Sequence, residues 1–217
     1  MQQTTLGATV MQKFDLQFKK GQNMKVITID REYGAGGHTI GMEVAQRLGI
    51  EFYDQDIIRE TAKASGLDVE EIRAEEERLS KTETFLHAIT PVSFDIKDAI
   101  FEYEAQAVKE LAKKGPCVLL GRCAAAVLEE AGIECVKVFL YADEKHRSVR
   151  ASELLGIEDQ VLLHKAIHKI DVARQAYYNA YTGKQWRAIE DQTLSLDTGI
   201  IPKDVCVDII CQAAQAI

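Results

Sequence analysis

Val26-Ile27-Thr28-Ile29, followed by Asp30-Arg31-Glu32-Tyr33-Gly34-Ala35-Gly36-Gly37-His38-Thr39, is the stretch that decides the fold. A short, continuously apolar run reads as a strand buried on both faces of a parallel sheet. The glycine cluster ends it. From His38 to Leu48, Ile40, Val44 and Leu48 recur at spacing four, one face of a helix, and Gly49 stops that helix as a C-terminal cap. Strand, glycine loop, helix is an arrangement suited to an anion. Gly34, Gly36 and Gly37 can turn backbone N–H groups onto one point, and the helix N-terminus adds partial positive charge. A polyphosphate needs such a cradle because its charge must be held without bulky side chains in the way.

The loop departs from the standard phosphate loop G-x-x-x-x-G-K-[ST]. Arg31 stands where the first glycine would be, Gly36 keeps the second, Gly37 replaces the lysine and His38 takes the Ser/Thr position, with Thr39 one further on. Losing the lysine removes a cation from the β/γ-phosphates, an effect worth roughly 2–4 kcal/mol in a transition state. Another cation compensates, or phosphoryl transfer is slow or absent. Arg31, Arg122 and Arg147 are the candidates.

Outward from the loop, apolar runs alternate with helical periods. Glu51 to Asp54 reads as a short strand or loop, and 56–64 and 68–79 as helices, the second with an acidic run that reads as a solvated face. Asp95 to Lys114 reads as a long helix with Ile96, Ile100, Tyr103, Ala107 and Leu111 on one stripe. Cys117 to Leu120, Val136 to Tyr141 and Leu194 to Asp197 read as strands; Asp143 to Leu155, Asp159 to Tyr181 and Lys203 to Ala214 read as helices. This order implies an α/β fold, a parallel sheet covered on both faces. Ligands of such sheets bind at the carboxyl ends of the strands.

The 217 residues suffice for one α/β domain with a small lid. A net charge of −8 argues against a nucleic acid polymer as partner, without excluding a local basic pocket. No apolar run is long enough to span a membrane. Residues 1–24 read as an N-terminal extension and 25–217 as the domain. Five cysteines scattered in apolar runs read as buried thiols of a reducing cytoplasm. No C-x-x-C pair suggests zinc, and no resident metal site is expected.

Ile29 to Gly37, together with Leu48-Gly49-Ile50-Glu51-Phe52-Tyr53-Asp54, closely resembles the cytidylate-kinase-like family, whose members show an R-E-[YF]-G-[SA]-G-G loop. The resemblance runs from about Lys25 to the C-terminus. It implies a three-layer α/β/α fold of the P-loop nucleoside triphosphate hydrolase-like kind, with a helical lid at about 156–190. It also implies ATP and Mg²⁺ as cofactors, a nucleotide substrate and a cytoplasmic enzyme. By the same resemblance Arg31, Gly34, Ala35, Gly36, Gly37, His38 and Thr39 hold the ATP phosphates. Tyr53, Asp54, Arg59 and Arg122 frame the acceptor. The resemblance implies Arg122, Arg147, Arg174 and Asp171 as the catalytic candidates. Arg122 holds the acceptor phosphate, and Arg147 with Arg150 matches the arginines of the helix after F-L-D-A. Arg174, with Asp171 in a D-x-x-R lid pattern, reaches the transferring phosphoryl group, while Asp197-Thr198-Gly199 lies beside the adenine. Gln55, Asp56, Cys123 and Tyr141 depart from true cytidylate kinases, all on the acceptor side.

Several residues admit two readings. His38 either bonds a phosphate or caps the helix. Arg174 either serves a closing lid or lies on a solvated face beside Lys165 and Lys169. Asp30 either meets magnesium through water or fixes the loop. Tyr177, Tyr178, Tyr181 and Trp186 read as packing or a homodimer contact ahead of a base-stacking platform. The functional reading is a nucleotide kinase. Its rival is a catalytically weak or inactive nucleotide-binding regulator, motivated by Gly37. A dinucleotide-binding oxidoreductase fits poorly, since position 39 is Thr where G-x-G-x-x-G requires glycine.

Overall fold

The structure, a computed structural model, describes residues 25–54 and 92–216, without the side chains of 92–97, 99 and 100. Strand β1 (Val26–Arg31) leads through the glycine loop into helix α1 (Gly37–Leu48) and strand β2 (Glu51–Tyr53). Helix α2 (Val92–Lys114), strand β3 (Cys117–Leu120), helix α3 (Ala124–Glu130) and strand β4 (Cys135–Tyr141) follow. Helices α4 (Glu144–Leu155) and α5 (Gln160–Thr182), a 3-10 turn at Ile189–Asp191, strand β5 (Leu194–Asp197) and helix α6 (Lys203–Ala216) complete the chain.

The five strands are all parallel, in the order β2-β3-β1-β4-β5. Val26 to Ile29, buried on both faces, make β1 the centre of the sheet. On one face α1 and α6 bring Ile40, Val44, Leu48, Val207 and Ile210 onto Ile27, Ile29, Val138 and Leu140. On the other, α2 and α3 bring Val108, Leu111, Val127 and Leu128 onto Val26 and Leu119. Each such side chain withdrawn from water contributes about 1.5–3 kcal/mol. This is a three-layer α/β/α fold of the P-loop nucleoside triphosphate hydrolase-like class.

The chain leaves β1 toward the β2 edge and leaves β3 in the opposite sense, across β1 to β4, which makes the carboxyl ends of β1 and β3 the switch point of the sheet. The ladder continues past the strands there: the Gly121 N–H donates to Ile29 O at 2.9 Å, and the Glu32 N–H to Leu140 O at 3.0 Å. The loops after β1, β3 and β4 are thereby held side by side.

Two details differ from the sequence reading. Helix α3 was not foreseen; at seven residues it is too short to show a period. The buried stripe of α2 is turned by one residue, so Tyr103 is exposed while Glu104, Ala105, Ala107, Val108 and Leu111 are buried. The reason is polar: Glu104 has partners inside, described below. The helices expected at 56–64 and 68–79 lie outside the described residues.

Candidate active site at the carboxyl end of the sheet

The glycine loop has the backbone that its sequence requires. Gly34 and Gly36 have φ of 83° and 82°, a left-handed conformation that costs other residues energy. Gly36 caps α1 with no side-chain bond. The Ile40 N–H donates to Gly36 O at 3.0 Å, so the N–H groups of Gly37, His38 and Thr39 precede the helix's own ladder. A Cβ at Gly34 would lie 2.5 Å from the carbonyl oxygen of Arg147, so glycine lets the loop rest on the backbone of α4. From the other side the Thr198 hydroxyl donates to Ala35 O at 3.0 Å.

A buried ion network anchors the loop. Glu32 Oε2 lies 3.2 Å from Arg147 Nε and accepts from the Ala142 N–H; Oε1 lies 2.7 Å from Arg187. Asp171 Oδ1 accepts from the Tyr33 N–H at 2.8 Å, and Oδ2 meets Arg147 Nη1 at 2.5 Å. Arg147 also donates to Tyr33 O and Ala142 O, both at 3.1 Å. Two carboxylates and two guanidiniums balance, and α4, α5 and the chain before β5 are tied to residues 32 and 33. Arg147 and Asp171 therefore direct their polar atoms at each other and at the loop backbone.

A second set of arginines sits beside the loop. Arg31 extends across Gly37 toward Gly121. Arg174 of α5 donates to Arg31 O at 3.0 Å and lies 5.4 Å from the centre of the Tyr33 ring. Neither Arg31 nor Arg174 contacts a carboxylate of the described residues. Burial lowers the Arg31 pKa to about 10, with the charge of Arg174 the next cause; burial lowers that of Arg174 as well. Arg122 follows Gly121 with φ of 58°, and Cys123 with φ of 55°. A non-glycine residue holds this conformation only where its surroundings impose it. Arg122 Nη1 meets Glu104 Oε1 at 2.8 Å, and the Tyr177 hydroxyl donates to Glu104 Oε2 at 2.6 Å. Glu104 thus orients the arginine after β3 and ties α2 to α5.

The remaining sequence candidates are placed as follows. Asp30 Oδ1 accepts from the Arg31 N–H and Oδ2 from the Trp186 indole, each at 2.8 Å. His38 is exposed, packs edge-on to Phe52 and lies 3.9 Å from Asp54. The Thr39 hydroxyl accepts from Arg150. Tyr53 ends β2, with Asp54 just beyond. Arg59 lies outside the described residues. Tyr178 and Trp186 are buried, Trp186 against Phe139, and Tyr181 stacks on Phe101 at 4.2 Å. Among the described residues no group of three or more His, Cys, Asp or Glu is disposed to hold a metal ion, and no helix is long and apolar enough to cross a membrane.

Sequence reasoning missed Glu32, Glu104 and Arg187 as parts of the site. Glu104 left a signal, a carboxylate immediately beside the apolar stripe of a long helix. Arg187 left none, because its partners are more than a hundred residues away or on another element.

A glycine loop between the central strand and its helix, flanked by arginines at the switch point, defines a protein of the P-loop kinase-like class. The model of the cytidylate kinase-like family matches residues 26–200, and the chain belongs to that family. Among solved structures it is similar to an uncharacterised protein from Eubacterium ventriosum (20% identity, TM-score 0.68, covering 89% of this chain and 99% of that one). A Thermus thermophilus protein aligns at 13% identity and TM-score 0.52, covering 90% of this chain and 100% of that one. Shikimate kinase from Acinetobacter baumannii, in complex with shikimate, aligns at 17% identity and TM-score 0.47, over 89% of this chain and 95% of that one. No curated protein matches the chain.

Proposed function

We propose that this protein transfers the terminal phosphoryl group of ATP to a nucleoside monophosphate, with CMP the first acceptor to try. The observation that carries the reading is the pair Arg31 and Arg174, cations that contact no carboxylate among the described residues, beside a glycine loop whose Gly37, His38 and Thr39 N–H groups precede the helix ladder. Such a site favours a multivalent anion. The loop from Gly34 to Thr39 and Arg31 hold the donor phosphates. Arg122, fixed by Glu104, holds the acceptor phosphate near Tyr53 and Asp54. Arg174, carried on α5, neutralises charge on the group in transit. Arg147 and Asp171 keep the loop in position. Positioning and charge neutralisation carry the catalysis, with no covalent intermediate.

Magnesium supplies charge neutralisation when bound with the nucleotide. Asp30 is the carboxylate suited to meet it through water, since each of its oxygens accepts a single hydrogen bond among the described residues and keeps lone pairs. The alternative is a nucleotide-binding regulator without turnover, which Gly37 favours. ATP consumption with CMP, dCMP, UMP, AMP and GMP in parallel, with Arg122→Ala as control, separates the two. Turnover with one acceptor that is lost in the control supports the kinase. Thermal stabilisation by ATP with no turnover supports the regulator, and neither result would sink both.

A further inference from the structure

Positions 31 and 37 depart from the standard phosphate loop together, and the packing ties the two departures to one another. A Cβ on Gly37 would lie 2.7 Å from Arg31 Cγ, 3.2 Å from Cδ and 3.3 Å from Cβ. These are stem atoms, and they cannot swing aside as the tip of a side chain can. A lysine therefore cannot enter position 37 while the Arg31 stem lies across it. Further along, a Cβ on Gly121 would collide with Arg31 Nη1. Two glycines, one from the loop after β1 and one from the loop after β3, form a slot for a single arginine.

At the end of that slot no partner is found among the described residues. The Arg31 guanidinium carries five N–H donors. None makes a hydrogen bond or ion pair with the described residues, although the residue is partly buried; Arg174 and Arg122 repel it, and Asp30 and Asp54 attract it only from beyond contact distance. Buried charge of this kind is stable only when paired. Its own backbone N–H donates to Asp30, and its carbonyl accepts from Arg174, so the main chain is fixed while the charged tip is left for something else.

We propose that Arg31 is the relocated cation of this phosphate loop: it enters from the loop's first position, crosses Gly37 and holds the donor polyphosphate where the lysine ordinarily would. This rests on the phosphoryl-transfer reading above. Gly37 is then the condition for Arg31, and the pair 31/37 is a compensating exchange of glycine-and-lysine for arginine-and-glycine.

The test is a double-variant cycle with two readouts, thermal melting of the ligand-free protein and calorimetric binding of inorganic tripolyphosphate. Arg31→Gly is expected to stay folded and to bind tripolyphosphate about 10- to 100-fold more weakly, the scale of a lost charge-assisted contact. Gly37→Lys alone is expected to melt lower and to gain no affinity. Arg31→Gly with Gly37→Lys is expected to melt near the native protein and to recover most of the affinity. Should Gly37→Lys fail to fold, Gly37→Ala reads the same collision, destabilising with Arg31 present and harmless in Arg31→Gly. Arg31→Lys, which keeps the charge on a stem of similar reach, is expected to retain more affinity than Arg31→Gly. The proposal falls if Arg31→Gly binds as the native protein does, or if Gly37→Lys is tolerated beside Arg31. Native protein that binds neither tripolyphosphate nor ATP would instead overturn the phosphoryl-transfer reading, taking the cation's role with it.

Discussion

Two groups of arginines lie on either side of one loop, and they are treated in opposite ways. Arg147 and Arg187 are matched against Glu32 and Asp171 at 2.5–3.2 Å in the closest contacts, with both carboxylates buried. Arg31 and Arg174 reach no carboxylate among the described residues, and burial lowers the pKa of both. Arg122 stands between the groups and meets the carboxylate of Glu104. On the proposed reading, the same side chain is structural where its charge is satisfied within the fold and binding where it is not. Fixing a loop needs neutrality, because an unpaired charge in the interior would unfold it. Holding a polyphosphate needs the reverse.

The largest expected effect is in the matched group. Asp171→Asn leaves Arg147 beside one fewer charge, and Arg147→Met leaves two buried carboxylates short of a cation. Each is expected to cost about 3–5 kcal/mol in urea unfolding, as when one partner of a buried ion pair is removed. A loss below about 1 kcal/mol in both would break the comparison, by showing that the network does not hold the fold.

Glu104→Gln comes next and tests the intermediate case. The amide still accepts from Arg122 but carries no charge. A stability loss of about 1–3 kcal/mol is expected. The sharper readout is kinetic: the acceptor's KM should rise while ATP affinity stays near the native value. If ATP affinity falls instead, Glu104 serves the donor side. Trp186→Phe is smaller again. It keeps a ring against Phe139 but removes the indole N–H from Asp30, and about 0.5–1.5 kcal/mol is expected in the same unfolding measurement.

How much of this was legible in the sequence follows from the range of each interaction. The loop, its strand and its helix were readable because their signals are local: a run of β-branched residues, glycines and a spacing of four. The strand at Leu194–Asp197 was readable for the same reason. Arg122 was found by its place after a buried strand. Its partner Glu104 was not, because the reading put Tyr103 on the buried stripe, and only the partners across the fold turn the helix by one residue. Arg147 was picked out by its place after β4 and Asp171 by its D-x-x-R pattern with Arg174, but whether they face ligand or loop depends on Glu32 and Arg187, far from them in sequence or on other elements. The slot for Arg31 was invisible for a further reason. Gly37 reads as a loss until Gly121, brought alongside by the β1–β3 ladder, shows what the space is for.

The smallest expected effect has the opposite sign to the rest. Burial, then Arg174, lowers the Arg31 pKa from 12.5 to about 10. A cation whose pKa is depressed by folding is held charged at a cost at neutral pH, and that cost fades as pH rises through about 10 and the guanidinium sheds its proton. Arg31→Met removes the charge and keeps most of the stem across Gly37. The ligand-free protein is therefore expected to melt higher, by roughly 2–4 °C, in contrast to the Asp171, Arg147, Glu104 and Trp186 variants. Binding moves the other way. Only the charged form holds an anion, so tripolyphosphate affinity of the native protein should fall as pH climbs from neutrality through about 10. Calorimetric titration across that range, native against variant, checks both signs. A variant that melts lower, or that keeps the native pH dependence in full, would move Arg31 into the same structural group as Arg147 and erase the distinction between the two sides of the loop.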